Sequence, residues 1–311
     1  MASNWEEFYA KNSPPLDLVK SEEEMKNFIQ QHKDQKVALV TSGGTTAPLE
    51  HNTVRFVDNF SAGTRGSISA EYFLEHGYSV IFLYRLKSLE PYSRHFSNQS
   101  FLDMLDLDIE NDKPIVKVSS EYTEKVSTVL CKYKEVLKQK KLLQINFTTL
   151  VDYLWLLRSA CQALAPLKEK AILYLAAAAS DFYIPPSEMA VHKIPSSGPP
   201  KIALQLVPKI LKPLVNLWVP DAFVISFKLE TDENLLISKA RDALNNYQHK
   251  YVVANMLQTR KERVIIVSKE DDYEIIMKKS EISQGMEIEE KIIADLVEKH
   301  DKFIFNAEKS R

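Results

Sequence analysis

Cysteine is nearly absent: Cys131 and Cys161 are the only two among 311 residues. That is too few for a disulfide framework or a thiolate metal cluster, and it suits a reducing compartment. Both lie in helix-like patterns and are expected to be buried packing residues. A charge excess is also lacking, since 40 basic and 42 acidic residues leave a formal charge of -2 without long single-sign blocks. This balance argues against nucleic acid or a membrane surface as the main partner and favours a small ligand. No apolar run is long enough to span a bilayer, the longest being AILYLAAAA at 171–179. The opening MASNWEEFYAKNSPP has no basic start followed by an apolar stretch, so the cytoplasm is the expected location. No internal repeat or low-complexity segment stands out.

What remains is an ordinary globular composition, 45% hydrophobic and 26% charged. Residues 1–35 read as a polar leader followed by a helix, SEEEMKNFIQQHK, with Ser21 as its expected N-cap. At 36 a fold begins: KVALVTSGG is a buried strand, SISAEYFLEHG a helix closed by Gly77, and YSVIFLYR a second strand. Residues 86–120 lose this periodicity and are expected as a surface insertion. Helix and strand patterns then alternate through LLQINF, AILYLAAAAS, KIALQLV, AFVISFKL and KYVVANML. A hairpin of RVIIVS and YEIIMKK follows, and EIEEKIIADLVEKH is the last helix. The alternation predicts a single α/β domain over 36–311, three-layered and Rossmann-like, with a mainly parallel sheet and an antiparallel C-terminal tail.

In such sheets ligands sit beyond the carboxyl ends of the strands. Four segments fall there. In TSGGTTAP, Gly43 lets backbone N–H groups approach an anion, although a tight turn accounts for the glycines equally well. In VRFVDNFSAGTRG, Ser61, Gly63 and Gly66 stand at a helix N-terminus receptive to phosphate; a serine cap with glycines for close packing fits the same residues. The detour before that helix, some twenty residues from the strand, carries Arg55 and Asn59 and has the length of a binding loop. In AAAASDFYIPPSEMAVHKIPSS, the alanines offer a smooth wall, Asp181 closes the strand, and Lys193 sits on a flap where a solvated lysine is the plainer reading. In SFKLET and VVANML, Phe227 can stack on a base and Asn255 can hydrogen-bond to it, or both can serve the core.

Taken in order, SGGT, VRFVDNFSAGTRG, LAAAASDFYIP, HKI, FKLET and VVAN resemble the motif set of the phosphopantothenoylcysteine synthetases over about residues 36–300. The stand-alone eukaryotic form, without a preceding flavin-dependent decarboxylase domain, is the nearer likeness. The resemblance implies a ligase of coenzyme A biosynthesis. In it, the carboxylate of 4'-phosphopantothenate attacks the α-phosphorus of ATP or CTP, with Mg2+, and releases pyrophosphate. The amine of L-cysteine then displaces the nucleotide monophosphate from the acyl-nucleotidylate. By the same resemblance Lys193 serves the first step and Asn59 the second. Arg55, Ala177 and Ala178 contact substrate, and Gly43, Ser61, Gly63, Gly66, Asp181, Phe227 and Asn255 lie on the nucleotide side. A metal-ligand set is not assigned. The family's dimers imply a homodimer with sites shared across its interface. Where bacterial members read NHSSG this chain has NFSAG, which alters Phe60 and Ala62, and nothing in the residues chooses between ATP and CTP.

Two rival readings differ in class. A nicotinamide-dependent oxidoreductase would use the first βαβ unit, with Arg85 holding a 2'-phosphate, but no G-x-G-x-x-G joins strand to helix. A non-catalytic scaffold would keep the fold without the activity, and the presence of Lys193, Asn59 and Asp181 speaks against it.

Overall fold

The computed structural model describes residues 4–97, 101–196 and 198–310. Two helices, α1 (Asn4–Lys11) and α2 (Leu18–Gln31), precede β1 (Val37–Ser42). A hairpin of β2 (Thr46–Pro48) and β3 (Phe56–Asp58) occupies the detour, and α3 (Thr64–Glu75) and β4 (Ser79–Arg85) complete the βαβ unit. The insertion carries an exposed ribbon, β5 (Leu105–Glu110) with β6 (Lys113–Val118), followed by α4 (Thr123–Lys138), β7 (Leu142–Phe147), α5 (Leu150–Leu164) and β8 (Ala171–Leu175). Then come β9 (Phe182–Tyr183), β10 (Gln205–Leu206), the short α6 (Leu211–Pro213), β11 (Phe223–Glu230), α7 (Glu233–Tyr247) and β12 (Tyr251–Met256). The chain ends with β13 (Arg263–Val267), β14 (Asp272–Ile276), α8 (Lys279–Ser283) and α9 (Ile288–Lys309).

The central sheet has eight strands in the order β14-β13-β12-β11-β8-β1-β4-β7. From β12 to β7 the pairings are parallel, and β13 and β14 are antiparallel, as the sequence pattern predicts. Side chains alternate across it. Leu39, Ile81, Leu173 and Val224 pack with α1, α2 and α5, whereas Val40, Phe82, Tyr174 and Ile225 pack with α3 and α9. This is the double coverage that keeps strands such as VALVTS and AILYL buried almost throughout.

Four local expectations are corrected. The polar leader is part of the fold, because Phe8 and Tyr9 of α1 are buried in the same core as β1. Ser21 is not a cap: α2 begins at Leu18 behind Asp17, and Ser21 lies buried within it. Cys131 is exposed on α4, where no side chain is fully buried, while Cys161 is buried as expected. KIALQLV does not join the central sheet; only Gln205 and Leu206 pair, with Tyr183 and Phe182, in a separate two-stranded sheet. Pro199 and Pro200 immediately before it supply no backbone donor for a longer strand. Among the described residues no helix is long and apolar enough to cross a membrane.

Two buried histidines make the fold acid-sensitive. His300 is fully buried, its Nε2 lies 2.8 Å from the Glu169 carbonyl, and its Nδ1 lies 2.8 Å from the Tyr78 hydroxyl. A carbonyl only accepts, so Nε2 carries the proton and Nδ1 accepts from Tyr78. Burial pushes the pKa of His300 down to about 4, and burial does the same to His249, also to about 4. The native state keeps both neutral while the unfolded chain protonates them near 6.5. Stability from this source is therefore complete above pH 6.5 and falls as pH drops towards 4. Denaturant midpoints at pH 7.5, 6 and 5 should decline with an uptake on unfolding approaching about two protons.

Candidate active site

β1 lies between β4 and β8, so the chain departs in opposite directions on its two sides and a crevice opens beyond its carboxyl end. The loops after β1 and β8 are laced together there. The Ala178 N–H donates to the Gly43 carbonyl at 2.8 Å, and the Thr45 N–H donates to the Ala178 carbonyl at 3.2 Å. A cleft of about 690 Å3 straddles this edge, and seven of the predicted site residues line it: Asn59, Ser61, Ala177, Ala178, Asp181, Phe227 and Asn255. Gly43, Gly63, Gly66, Arg55 and Lys193 do not line it.

The three glycines are buried beneath the cleft. Gly63 takes a left-handed conformation at the start of α3, and a side chain on Gly66 would put its Cβ 2.4 Å from Cβ of Ser42. Close packing of α3 on the end of β1 thus explains both, and it leaves Ser61, Thr64 and Arg65 facing the cleft at the helix N-terminus. The tightest approach belongs to Gly44, where a Cβ would lie 1.6 Å from the carbonyl oxygen of Asn59. Gly44→Ala must displace the backbone of the asparagine loop, at a cost of about 1–3 kcal/mol or more. The expected outcome is a lower denaturation midpoint together with a more than tenfold loss of activity.

The asparagine and the alanine wall are fixed from β1 and the loop after it. Thr41 Oγ1 accepts from the Ala177 N–H at 3.1 Å, and Thr45 Oγ1 accepts from the Ser180 N–H at 2.9 Å. The Asn59 N–H donates to the Thr45 carbonyl at 3.2 Å, and its Nδ2 donates to the Ala179 carbonyl at 3.1 Å. The carboxamide is half-buried against the wall of its own chain.

Arg55 and the flap backbone at Ile194 meet at one unforeseen residue, Glu50, whose side chain is wholly inaccessible to solvent. Its Oε1 accepts from Arg55 Nε at 2.9 Å, from Arg55 Nη2 at 2.7 Å and from the Ile194 N–H at 3.3 Å. Its Oε2 accepts from the backbone N–H groups of Val54 and Arg55 at 3.3 and 3.1 Å. Arg55 Nη2 also donates to the Ile194 carbonyl at 2.7 Å. Burial raises the pKa of Glu50, but the bonds from Arg55, Ile194 and Val54 outweigh it and draw the carboxyl down to about 2. Lys193, next to Ile194, is exposed on the flap.

Charge in the cleft is lopsided. Arg65, Lys209, Lys228 and Arg260 line it against the single carboxylate of Asp181 among the described residues. Arg65 is braced by Glu289 at 2.9 Å and donates to the Arg260 carbonyl at 2.5 Å, so α3, α9 and the loop after β12 share one bracket. Lys209 lies 3.8 Å from Asp181, and Lys228 lies 3.4 Å from Glu230. Sequence reading did not single out these cations, although Arg65 stands in TRG and Lys228 in FKLET. Phe227 meets Tyr174 edge-on, with ring centroids 4.8 Å apart, and Asn255 is buried at the end of β12. Among the described residues no group of three or more His, Cys, Asp and Glu can hold a metal by itself. Mg2+ bound mainly through phosphate oxygens and water needs only one or two carboxylates, and Asp181 is the carboxylate in the cleft lining among the described residues.

Comparisons with known proteins place the chain among its relatives. Residues 156–300 match the family described as DNA/pantothenate metabolism flavoprotein C-terminal domain. The chain is 47% identical over 295 residues to the phosphopantothenate–cysteine ligase of Mus musculus, covering 93% of this chain and 95% of the relative. It is 48% identical over 273 residues to that of Homo sapiens, covering 87% and 88%. A solved structure of a Cab2 mutant in complex with phosphopantothenate-cysteine superposes with a TM-score of 0.88 at 40% identity, covering 97% of this chain and 99% of that one.

Proposed function

The chain belongs to the phosphopantothenate–cysteine ligase family, and from that we propose how its cleft joins 4'-phosphopantothenate to L-cysteine. The family membership carries the reaction. One observation carries the route: a cation-lined cleft at the topological switch point, bearing Asn59 and the alanine wall on one rim. A nucleoside triphosphate enters with its phosphates towards Arg65, Lys209, Lys228, Arg260 and the α3 N-terminus. Its base lies by Phe227 and Asn255. Mg2+ supplies charge neutralisation at the phosphates when bound, with Asp181 as the protein's carboxylate.

The substrate carboxylate, lying along Ala177 and Ala178, then attacks the α-phosphorus. Its bond to phosphorus forms as the bond to the pyrophosphate oxygen breaks. Two anions approach one another in this step, and an ammonium that arrives with the flap offsets the repulsion, which is the role given to Lys193. In the second step the cysteine amine adds to the acyl carbon, and Asn59 donates through Nδ2 to the developing oxyanion. Collapse expels the nucleotide monophosphate and leaves the amide.

A homodimer is part of the proposal. Val54, Phe56, Val57 and Phe60 stand exposed along the asparagine hairpin, Phe60 at 89%. A second copy covering this ridge would bury these side chains beside the cleft and let the two sites share an interface. The cytoplasm remains the proposed location, consistent with two free cysteines. The test is amide formation from 4'-phosphopantothenate and L-cysteine with ATP and with CTP in parallel. Failure with both nucleotides would overturn the reading. Tight NADPH binding without triphosphate-dependent product would favour an oxidoreductase.

A further inference from the structure

Neither the cleft nor the reaction explains why a carboxylate should be fully enclosed at Glu50, outside the cleft lining. Its surroundings give a reason. The segment 49–55 and the flap are zipped together at several points. The His51 N–H donates to the Ala190 carbonyl at 2.9 Å, and the Asn52 N–H donates to the Val191 carbonyl at 3.1 Å. His51 Nε2 lies 2.9 Å from the Pro186 carbonyl. Glu50 closes the zip by taking hydrogen bonds from both sides: Val54 and Arg55 on the hairpin, Ile194 on the flap. From Arg55 the chain runs through β3 directly into Asn59, and Ile194 is covalently next to Lys193.

We propose that Glu50 is a positioning residue that locks the base of the Lys193 flap to the Asn59 hairpin, so that the flap closes on the cleft from a fixed anchor beside the group serving the other half-reaction. Arg55 belongs to the same device, its guanidinium committed to Glu50 and to the Ile194 carbonyl. This inference rests on the roles proposed above for Asn59 and Lys193. The plainer account is an ion pair that only stabilises a loop. The two differ in what they couple. A stabilising pair affects unfolding, whereas a lock affects flap motion and both chemical steps, since a misplacement of about 1 Å can cost on the order of a hundredfold.

Glu50→Gln keeps the size and removes the charge, and Arg55 retains partial access to water to tolerate it, its side chain being 39% exposed. Amide hydrogen exchange over 186–194 should accelerate by about tenfold or more in the folded variant. Pyrophosphate release and amide formation should each slow by about tenfold or more, with the melting temperature little changed. Arg55→Gln should reproduce the exchange change, and the double variant should be no slower than the slower single one, as for two parts of one device. Wild-type exchange in the flap, slowing of one half-reaction only, or multiplicative losses in the double variant would each overturn the lock. If Glu50→Gln does not fold, Arg55→Gln with unchanged flap exchange overturns it. The exchange measurement needs no turnover, so inactivity of the unmodified protein would sink the ligase route and leave the lock separately testable.

Discussion

Asn59→Asp is expected to separate the two half-reactions: pyrophosphate release stays within a few fold of the unmodified protein, amide formation slows by about a hundredfold or more, and acyl-nucleotidylate accumulates. The carboxamide Nδ2 is the donor proposed for the tetrahedral oxyanion, and loss of one such donor costs about 2.7–4 kcal/mol. Aspartate also loses the bond from Nδ2 to the Ala179 carbonyl, present at 3.1 Å. That loss is worth only about 0.5–1.5 kcal/mol. The catalytic term therefore dominates, and rapid-quench analysis by mass spectrometry would find the intermediate. Normal amide formation from the variant would remove Asn59 from the second step.

Lys193→Gln is expected to do the opposite. Pyrophosphate release should fall by about a hundred- to a thousandfold, the scale of a charge aimed at a transition state. Intermediate that does form should pass to amide at nearly the normal rate. Stability should be unaffected, because the side chain is exposed and outside the cleft lining. That placement also means the lysine acts only after the flap moves in, so the loss should appear in kcat of the first step more than in nucleotide affinity. Equal damage to both half-reactions in both variants would end the division of roles.

The strands were legible because layers of helices cover both faces of the sheet. VALV and AILYL are unbroken apolar runs for that reason, and the alanines after AILYL line the cleft. Asn59 and the alanines were placed through the motif order, and the structure brings them into hydrogen-bond contact across 120 positions of sequence. Glu50 was not legible. A single acid in a loop has no periodicity, and its partner Ile194 lies 144 residues away. The leader was misjudged for a related reason: the eight residues of α1 carry a weak helical signal, and their order comes from burying Phe8 and Tyr9 in a core built later in the chain. Helix α7 shows the reverse case, since its Asp232 cap and buried Leu236, Ala240 and Leu244 are local features that a search for strand ends passes over.

The central claim is that the carboxylate is activated on a nucleotide before cysteine reacts. Single-turnover pyrophosphate release from ATP or CTP, with 4'-phosphopantothenate present and cysteine left out, tests it most directly. The account predicts a burst approaching one pyrophosphate per active site, dependent on 4'-phosphopantothenate and lost in Lys193→Gln. Release only after cysteine is added, or inorganic phosphate with nucleoside diphosphate in place of pyrophosphate, would contradict it.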